Sequence, residues 1–219
     1  ECLAGVPEPS ILRLHGMTWK DAVEHFRRGI KTFEEALNHH DEVFLNKDNT
    51  LKETAYREAK AKVDDEPTFV DKPAVASWLS QLQYPLYCFD FESYQSPLPL
   101  FDNSWAYEQM TFQYSVHVAK NLTEAPKHRE FLAEDPKEDP RLALTAKLIE
   151  DLGDTGSVIV YNQSFEETHL LELAEIFPQY KDKLLAIVER LVDLEDVFAE
   201  GFVYDKAMEG RTSIKKVLP

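Results

Sequence analysis

Two carboxylates interrupt an otherwise apolar stretch, Tyr84–Ser93, in which Asp90 and Glu92 stand two residues apart. The aromatic and aliphatic residues around them predict a buried β-strand, whose side chains alternate between two faces. Both carboxylates are therefore expected together on the core side, about 7 Å apart, where two like charges need compensation. A divalent ion such as Mg²⁺ or Mn²⁺ supplies it most simply, because such ions bind carboxylate oxygens and keep water positions open. The alternative is a strand end, where one carboxylate caps a turn and the other is solvated.

A second segment adds a third carboxylate. The short β-branched run Ser157–Tyr161 predicts a strand, and the residues after it, 162–174, have the pattern of a helix. Asn162 is a favourable N-cap residue, and Glu166 then lies in the first turn, where the helix dipole favours an anion. Glu166 is expected to point back toward the strand end that precedes it. The alternative is ordinary capping with a solvated glutamate.

The two segments together resemble motifs of a known enzyme family. Asp90-Phe-Glu92 matches the Asp-x-Glu of the DnaQ-like (DEDD) exonucleases, a branch of the ribonuclease H-like superfamily. Asn162-Gln-Ser-Phe165-Glu166 matches their second motif, with glutamate where the family has aspartate, so its carboxylate lies one methylene further out. The resemblance implies a 3′ to 5′ exonuclease on DNA or RNA in which Asp90, Glu92 and Glu166 are catalytic and bind Mg²⁺ or Mn²⁺.

More narrowly, residues 70–219 are similar to a bacterial family known as domain of unknown function 2779. The similarity is carried by the segments Phe-Asp-Phe-Glu-Ser, Val-Tyr-Asn-Gln-Ser-Phe-Glu and Ser-Ile-Lys-Lys-Val-Leu-Pro. Members of that family are thought to be nucleases by resemblance, which implies a class of chemistry and no particular substrate.

The predicted order of elements agrees with a ribonuclease H-like fold. Strict alternation makes Met110–Val118 a half-buried strand, His128–Leu132 is a third strand, and leucines four residues apart make Arg141–Leu152 a helix. Strand, strand, strand, helix, strand, helix is how such a core begins: three antiparallel strands, then a crossover to a parallel neighbour of the first. We predict an α/β, ribonuclease H-like mixed sheet with flanking helices, preceded by a helical N-terminal region, and a site at the carboxyl ends of the central strands.

The sequence divides into two predicted parts. Residues 1–66 contain amphipathic helical stretches, with a capping box of Thr32 and Glu35, and resemble the helical linkers that follow RecB-like nuclease domains. Residues 67–219 are predicted to be the exonuclease domain. An upstream nuclease-like domain in the same polypeptide is the implied partner. Cys2 is either the last ligand of an iron–sulfur or zinc cluster or an incidental thiol, and the absence of a CxxC spacing favours the thiol.

The family's last carboxylate, which lies on a helix near the C-terminus, has no clear counterpart. Asp193 follows a helix, in the place where exonucleases of this type often carry an Asp-Thr or Asp-Leu pair, and it is expected to be a cap or turn residue rather than catalytic. Asp205 lies in a predicted loop. The chain begins with Glu1 and ends at Pro219, so we expect a domain fragment, truncated before its last helix, with an incomplete catalytic set and little activity of its own.

Four further side chains are candidates for substrate binding, together with Asn162. Tyr94 and Phe165 are placed to stack on a terminal base, although aromatic residues here are more often core. Lys215 and Lys216 are candidate phosphate contacts, although paired lysines usually form only a solvated face.

Composition limits the function classes. The chain has 219 residues, 43% hydrophobic and 29% charged, and a net charge of −16, whereas nucleic acid binding usually draws on a basic surface. The acidity keeps an alternative open, namely a catalytically degenerate ribonuclease H-like interaction or scaffolding module. No apolar run reaches membrane-spanning length, and two distant cysteines favour a cytoplasmic protein.

Overall fold

Alternating apolar residues build a five-stranded mixed sheet in the computed structural model, which describes residues 6–102 and 104–218. The strands are β1 (Thr68–Val70), β2 (Leu86–Gln95), β3 (Gln109–Ala119), β4 (Lys127–Leu132), β5 (Val158–Val160), β6 (Leu191–Asp193) and β7 (Val203–Asp205). The helices are α1 (Trp19–Arg27), α2 (Phe33–Asn38), α3 (His40–Phe44), α4 (Glu53–Val63), α5 (Lys72–Leu79), α6 (Arg141–Leu152), α7 (Gln163–Ile176), α8 (Lys181–Val188), α9 (Asp196–Ala199) and α10 (Ile214–Val217). Each predicted strand and helix of the sheet region is therefore present, with small shifts at its ends.

The contacts divide the chain into two units. One is Gln81–Leu194, and the other joins the chain up to Ser80 with the chain from Glu195 onward. The division predicted from the sequence, into residues 1–66 and 67–219, stays a prediction.

The sheet of the Gln81–Leu194 unit has the order β4-β3-β2-β5-β6. Strands β2, β3 and β4 are antiparallel neighbours, whereas β5 runs parallel to β2, and β6 parallel to β5. The predicted mixed sheet with flanking helices is thus confirmed, with β2 as its central strand.

The core face of β2 carries aromatic residues. Tyr87, Phe89 and Phe91 are buried in a cluster with residues of α6, α7 and α8. Burying an aromatic or large aliphatic side chain contributes about 1.5 to 3 kcal/mol, so this face fixes the register of the strand. Asp90 and Glu92 are exposed, on the opposite face. The expectation that they lie on the core side is wrong, because side chains with a period of two cannot share a face with the intervening aromatics.

Arg190 joins the end of α6 to the strand that follows α8. Its guanidinium donates hydrogen bonds to carbonyl oxygens in the turn after α6, those of Leu152, Gly153, Thr155 and Gly156. These carbonyls lie at the end of α6 and in the turn beyond it, and the planar five-donor guanidinium satisfies several of them at once.

The other unit contains α1 to α5, α9 and α10, and the two-stranded antiparallel pair β1–β7. Its predicted capping box is present: the Thr32 hydroxyl accepts from the Glu35 N–H, and the Glu35 carboxylate accepts from the Thr32 N–H. Asp205 ends strand β7, so its assignment to a loop is wrong, and its carboxylate accepts a hydrogen bond from Thr68.

Within the described residues, no helix is long and apolar enough to cross a membrane. Cys2 lies outside those residues.

Candidate active site at the carboxyl ends of the parallel strands

The carboxyl ends of the three parallel strands meet at one edge of the sheet. Cys88 of β2 pairs with Ile159 of β5, and Val160 of β5 pairs with Asp193, the last residue of β6. Asp90 lies two residues beyond Cys88. This edge is therefore where a sheet of this kind places its ligands.

Helix α7 begins at this edge and is capped from a distant part of the chain. Asn162 occupies the N-cap position with a left-handed backbone (φ 67°) and makes no side-chain cap bond. The Asp193 carboxylate instead accepts hydrogen bonds from the N–H groups of Asn162 (3.0 Å) and Gln163 (2.7 Å). The expectation that the Asn162 side chain caps the helix is wrong, because N-cap side chains reach the first turn from an extended backbone. Its amide oxygen accepts from the Ser164 hydroxyl. Asp193 is a cap, as expected, but of α7.

Glu166 lies in the first turn of α7 and is fully buried, with 1% of its surface exposed. Its Oε2 atom has no hydrogen-bond partner. Burial raises the pKa of this carboxyl to about 7, and the charges of Asp90 and Asp193 add to the increase, while backbone N–H groups at Glu166 and Phe91 oppose it. Near neutral pH the carboxyl is therefore about half protonated. The expectation that Glu166 points back toward the strand end before its helix stays a prediction.

Asp90 and Glu92 complete the group of carboxylates. Partial burial raises the pKa of Asp90, and the neighbouring Glu92 charge raises it further. Across the residues that the structure describes, neither carboxylate forms a hydrogen bond or an ion pair, although many other acidic side chains do. A neighbouring like charge disfavours the ionised form of the Asp90 carboxyl, and a bound cation would reverse that effect.

The donor chemistry of this edge fits Mg²⁺ or Mn²⁺. The donors are carboxylate oxygens, which such hard ions prefer, and one of them, Oε2 of Glu166, is buried without a partner. Over residues 6–102 and 104–218, however, no three Asp, Glu, His or Cys side chains lie close enough together to hold one ion jointly. Asp90, Glu92 and Glu166 therefore do not form a three-carboxylate site, and an ion bound at this edge would keep most of its water.

The two aromatic candidates have different surroundings. Tyr94 is half-buried beyond a register shift of β2, its hydroxyl donates to the Met110 sulfur, and its ring contacts Phe112 edge to face. Tyr94 also lines a mainly apolar cavity of 330 Å³ beside Leu100. Phe165 instead packs against the core cluster. Tyr94 therefore borders a space that admits a ligand.

The two lysines belong to the other unit. Lys215 and Lys216 lie in the short helix α10, and the Lys216 ammonium donates to the Glu209 carboxylate at 2.7 Å. Their assignment as phosphate contacts stays a prediction.

Asp193 is the residue of this edge that sequence reasoning undervalued. Its only signal was the short extended segment that it ends, whereas its importance depends on the pairing of β5 with β6. That pairing sets its carboxylate beside the start of a helix about 30 residues earlier in the chain.

A family comparison covers all of these carboxylates. The family described as a domain of unknown function, DUF2779, matches residues 87–213. The chain belongs to the DUF2779 family. It is similar to the uncharacterized protein MG366 homolog of Mycoplasma pneumoniae, with 38% identity over 144 residues, 60% of this chain and 21% of the relative. Uncharacterized protein MG366 of Mycoplasma genitalium is 36% identical over 141 residues, 59% of this chain and 21% of the relative.

The chain thus spans about a fifth of the length of these bacterial relatives. No solved structure matches it. The site therefore lies within the DUF2779 segment, and its chemistry has to be argued from its residues.

Proposed function

We propose that this DUF2779 chain carries the phosphodiesterase site of a metal-dependent nuclease, a 3′ to 5′ exonuclease on DNA or RNA of the DnaQ-like, ribonuclease H-like type. One observation carries the proposal: Glu166 is fully buried, has an unpartnered oxygen, and has a pKa that the charge of Asp90 helps to raise. A buried carboxyl that only capped a helix would be expected to have partners for both oxygens. Strongly perturbed carboxyls in such places mark candidate functional sites.

The fold supports the proposal in its coarse features. The order of three antiparallel strands, a helix, a parallel strand and a second helix agrees with the resemblance of the two sequence motifs. About 70 residues separate the two motifs in the chain, and the contribution of the Asp90 charge to the raised pKa of Glu166 supports their acting together.

Each residue has a distinct role in the proposed reaction. Asp90 and Glu92 would hold the ions, Glu166 would contribute through water, and Asp193 would position Glu166 by fixing the start of α7. Bound divalent ions supply activation of the attacking water and stabilisation of the leaving oxygen in an in-line displacement. Tyr94, beside the apolar cavity, would stack on the terminal base, since such stacking tolerates any sequence.

We expect residues 1–219 alone to have little activity. Two-metal catalysis needs enough carboxylates to hold both ions in register, and a misplacement of about 1 Å costs about a hundredfold in rate. In the described part of the chain, no group of three candidate ligands is close enough to hold an ion. A full-length protein that contains this segment is expected to be more active.

The test compares metal binding with nuclease activity. Mn²⁺ binding by calorimetry should be lost in Asp90→Asn/Glu92→Gln and retained in Glu175→Gln, an exposed carboxylate of α7 that serves as the matched control. Release of nucleotides from 3′-labelled single-stranded DNA and RNA should follow the same order in the full-length protein. Equal Mn²⁺ binding by all three proteins would contradict the proposal.

A second candidate is a non-catalytic interaction module that retains the fold. The net charge of −16 favours it, because an acidic surface repels nucleic acid. This candidate predicts that the full-length protein binds no Mn²⁺ at this edge and degrades neither substrate.

A further inference from the structure

A row of metal-binding residue types crosses the exposed face of the sheet, outside the carboxylate edge. Cys88 of β2 lies directly opposite His117 of β3, which lies directly opposite His128 of β4. Directly opposite residues in antiparallel strands point to the same face, with Cβ atoms about 5 Å apart. All three side chains are exposed. Strand pairing alone thus brings two imidazoles and a thiol into line.

The two imidazoles are already in contact. Their ring centroids are 4.6 Å apart, with an interplanar angle of 28°. The ring nitrogens of His117 have no hydrogen-bond partner among the residues that the structure describes. At least one nitrogen of a neutral imidazole carries a free lone pair, so His117 has a donor to offer.

The surroundings of His128 indicate which of its nitrogens is free. Its Nε2 lies 3.0 Å from the Ser115 hydroxyl and 3.9 Å from the Glu130 carboxylate. Two oxygen neighbours favour the tautomer with the proton on Nε2, which leaves Nδ1 as the lone-pair donor. Metal-bound histidines usually donate their other N–H to such an oxygen.

We propose that His117 and His128 form a two-imidazole site for a divalent transition-metal ion of the zinc class, with water completing the coordination. Imidazole nitrogen suits Zn²⁺, Cu²⁺ and Ni²⁺, whereas Mg²⁺ and Mn²⁺ prefer the carboxylates described above. The next row across the same strands, Asp90–Ser115–Glu130, adds two carboxylates that attract a cation.

Cys88 is not counted as a ligand. No three candidate ligand side chains within residues 6–102 and 104–218 are close enough to hold one ion, which agrees with a site of two imidazoles and water. An ion there would tie β4, which ends the sheet, to β3.

The test measures Zn²⁺ binding to tag-free protein by competition with a chromogenic zinc chelator. Wild type should bind one ion, and both His117→Gln and His128→Gln should bind it at least about tenfold more weakly. His40→Gln, a histidine of α3, is the matched control and should bind like wild type. The double variant Asp90→Asn/Glu92→Gln should still bind Zn²⁺ at the histidine site. Adding His117→Gln or His128→Gln to that double variant should remove this binding, which separates the histidine site from the proposed nuclease site.

A second readout needs no variant. In NMR spectra of the wild type, Zn²⁺ should shift the imidazole resonances of His117 and His128, while an equal amount of Mg²⁺ should not. Zinc affinity unchanged in either His→Gln variant, or imidazole resonances that do not respond to Zn²⁺, would overturn the proposal.

Discussion

Replacing Glu166 by glutamine should stabilise the folded protein, and more so as the pH rises. The ordinary pKa of this carboxyl is 4.5 and the folded value is about 7. The folded state holds the proton of Glu166 more tightly than the unfolded chain does. Ionisation of Glu166 therefore takes nothing from the free energy of unfolding below the unfolded pKa, and takes its full amount once the pH has passed the folded pKa. From this pKa shift, we expect ionisation of Glu166 to lower the free energy of unfolding by about 3 kcal/mol at about pH 8 and by about 1 kcal/mol at about pH 5.

Glutamine removes this cost because it has nearly the same shape and no charge. Urea unfolding of the wild type and Glu166→Gln should therefore show a stability difference that grows by about 2 kcal/mol between about pH 5 and about pH 8. Glu175→Gln, on an exposed position of α7, should show no such growth.

A stability difference that stays constant between the two pH values would refute the reasoning. It would show that Glu166 ionises as freely in the folded protein as in the unfolded chain. A glutamine variant that is less stable at about pH 8 would also refute it, because the carboxylate would then be worth more to the fold than its burial costs.

Three other predictions follow from the same unit. Mn²⁺ binding near pH 7 should release about half a proton from Glu166. Calorimetry in buffers of different ionisation enthalpy would detect this release as a binding heat that changes with the buffer. Glu166→Gln should abolish the release. Asp193→Ala should cost about 1 to 3 kcal/mol in urea unfolding, since two backbone N–H groups lose their acceptor, whereas Asp182→Ala, at an exposed position of α8, should cost less than about 0.5 kcal/mol. Arg190→Ala should cost about 2 to 4 kcal/mol by the same measurement, because several carbonyl oxygens lose their donor at once, and little or no loss would mean that water satisfies them.

The strands and helices of the sheet region were predictable because local patterns determine them. The alternation around Tyr114 and the leucine spacing of Arg141–Leu152 each require one particular periodicity, and both elements are present. The wrong side assigned to Asp90 came from reading burial from neighbours in sequence instead of from the alternation itself.

Features that depend on pairing between distant strands were not predictable. The contact of His117 with His128 needs the register of β3 against β4, and a hydrophobic pattern leaves shifts of two residues undecided. The cap that Asp193 provides needs the parallel pairing of β5 with β6. The pKa of Glu166 in turn needs both its burial and its charged neighbours, none of which a single sequence displays.

The mixed direction of the strands has a consequence for the order of folding. A connection of 13 residues, 96–108, joins strands β2 and β3, whereas Tyr87 of β2 meets Val158 of β5 about 70 residues later in the chain. Closing the longer loop costs more entropy, so the antiparallel strands are expected to form first and the parallel strands to dock afterwards. Asp90 and Glu92 then take their positions early, while Glu166 and Asp193 arrive late and bring the carboxylate repulsion with them. An ion that relieves this repulsion would therefore act mainly on the unfolding rate, lengthening the lifetime of the folded state and leaving the speed of its formation almost unchanged.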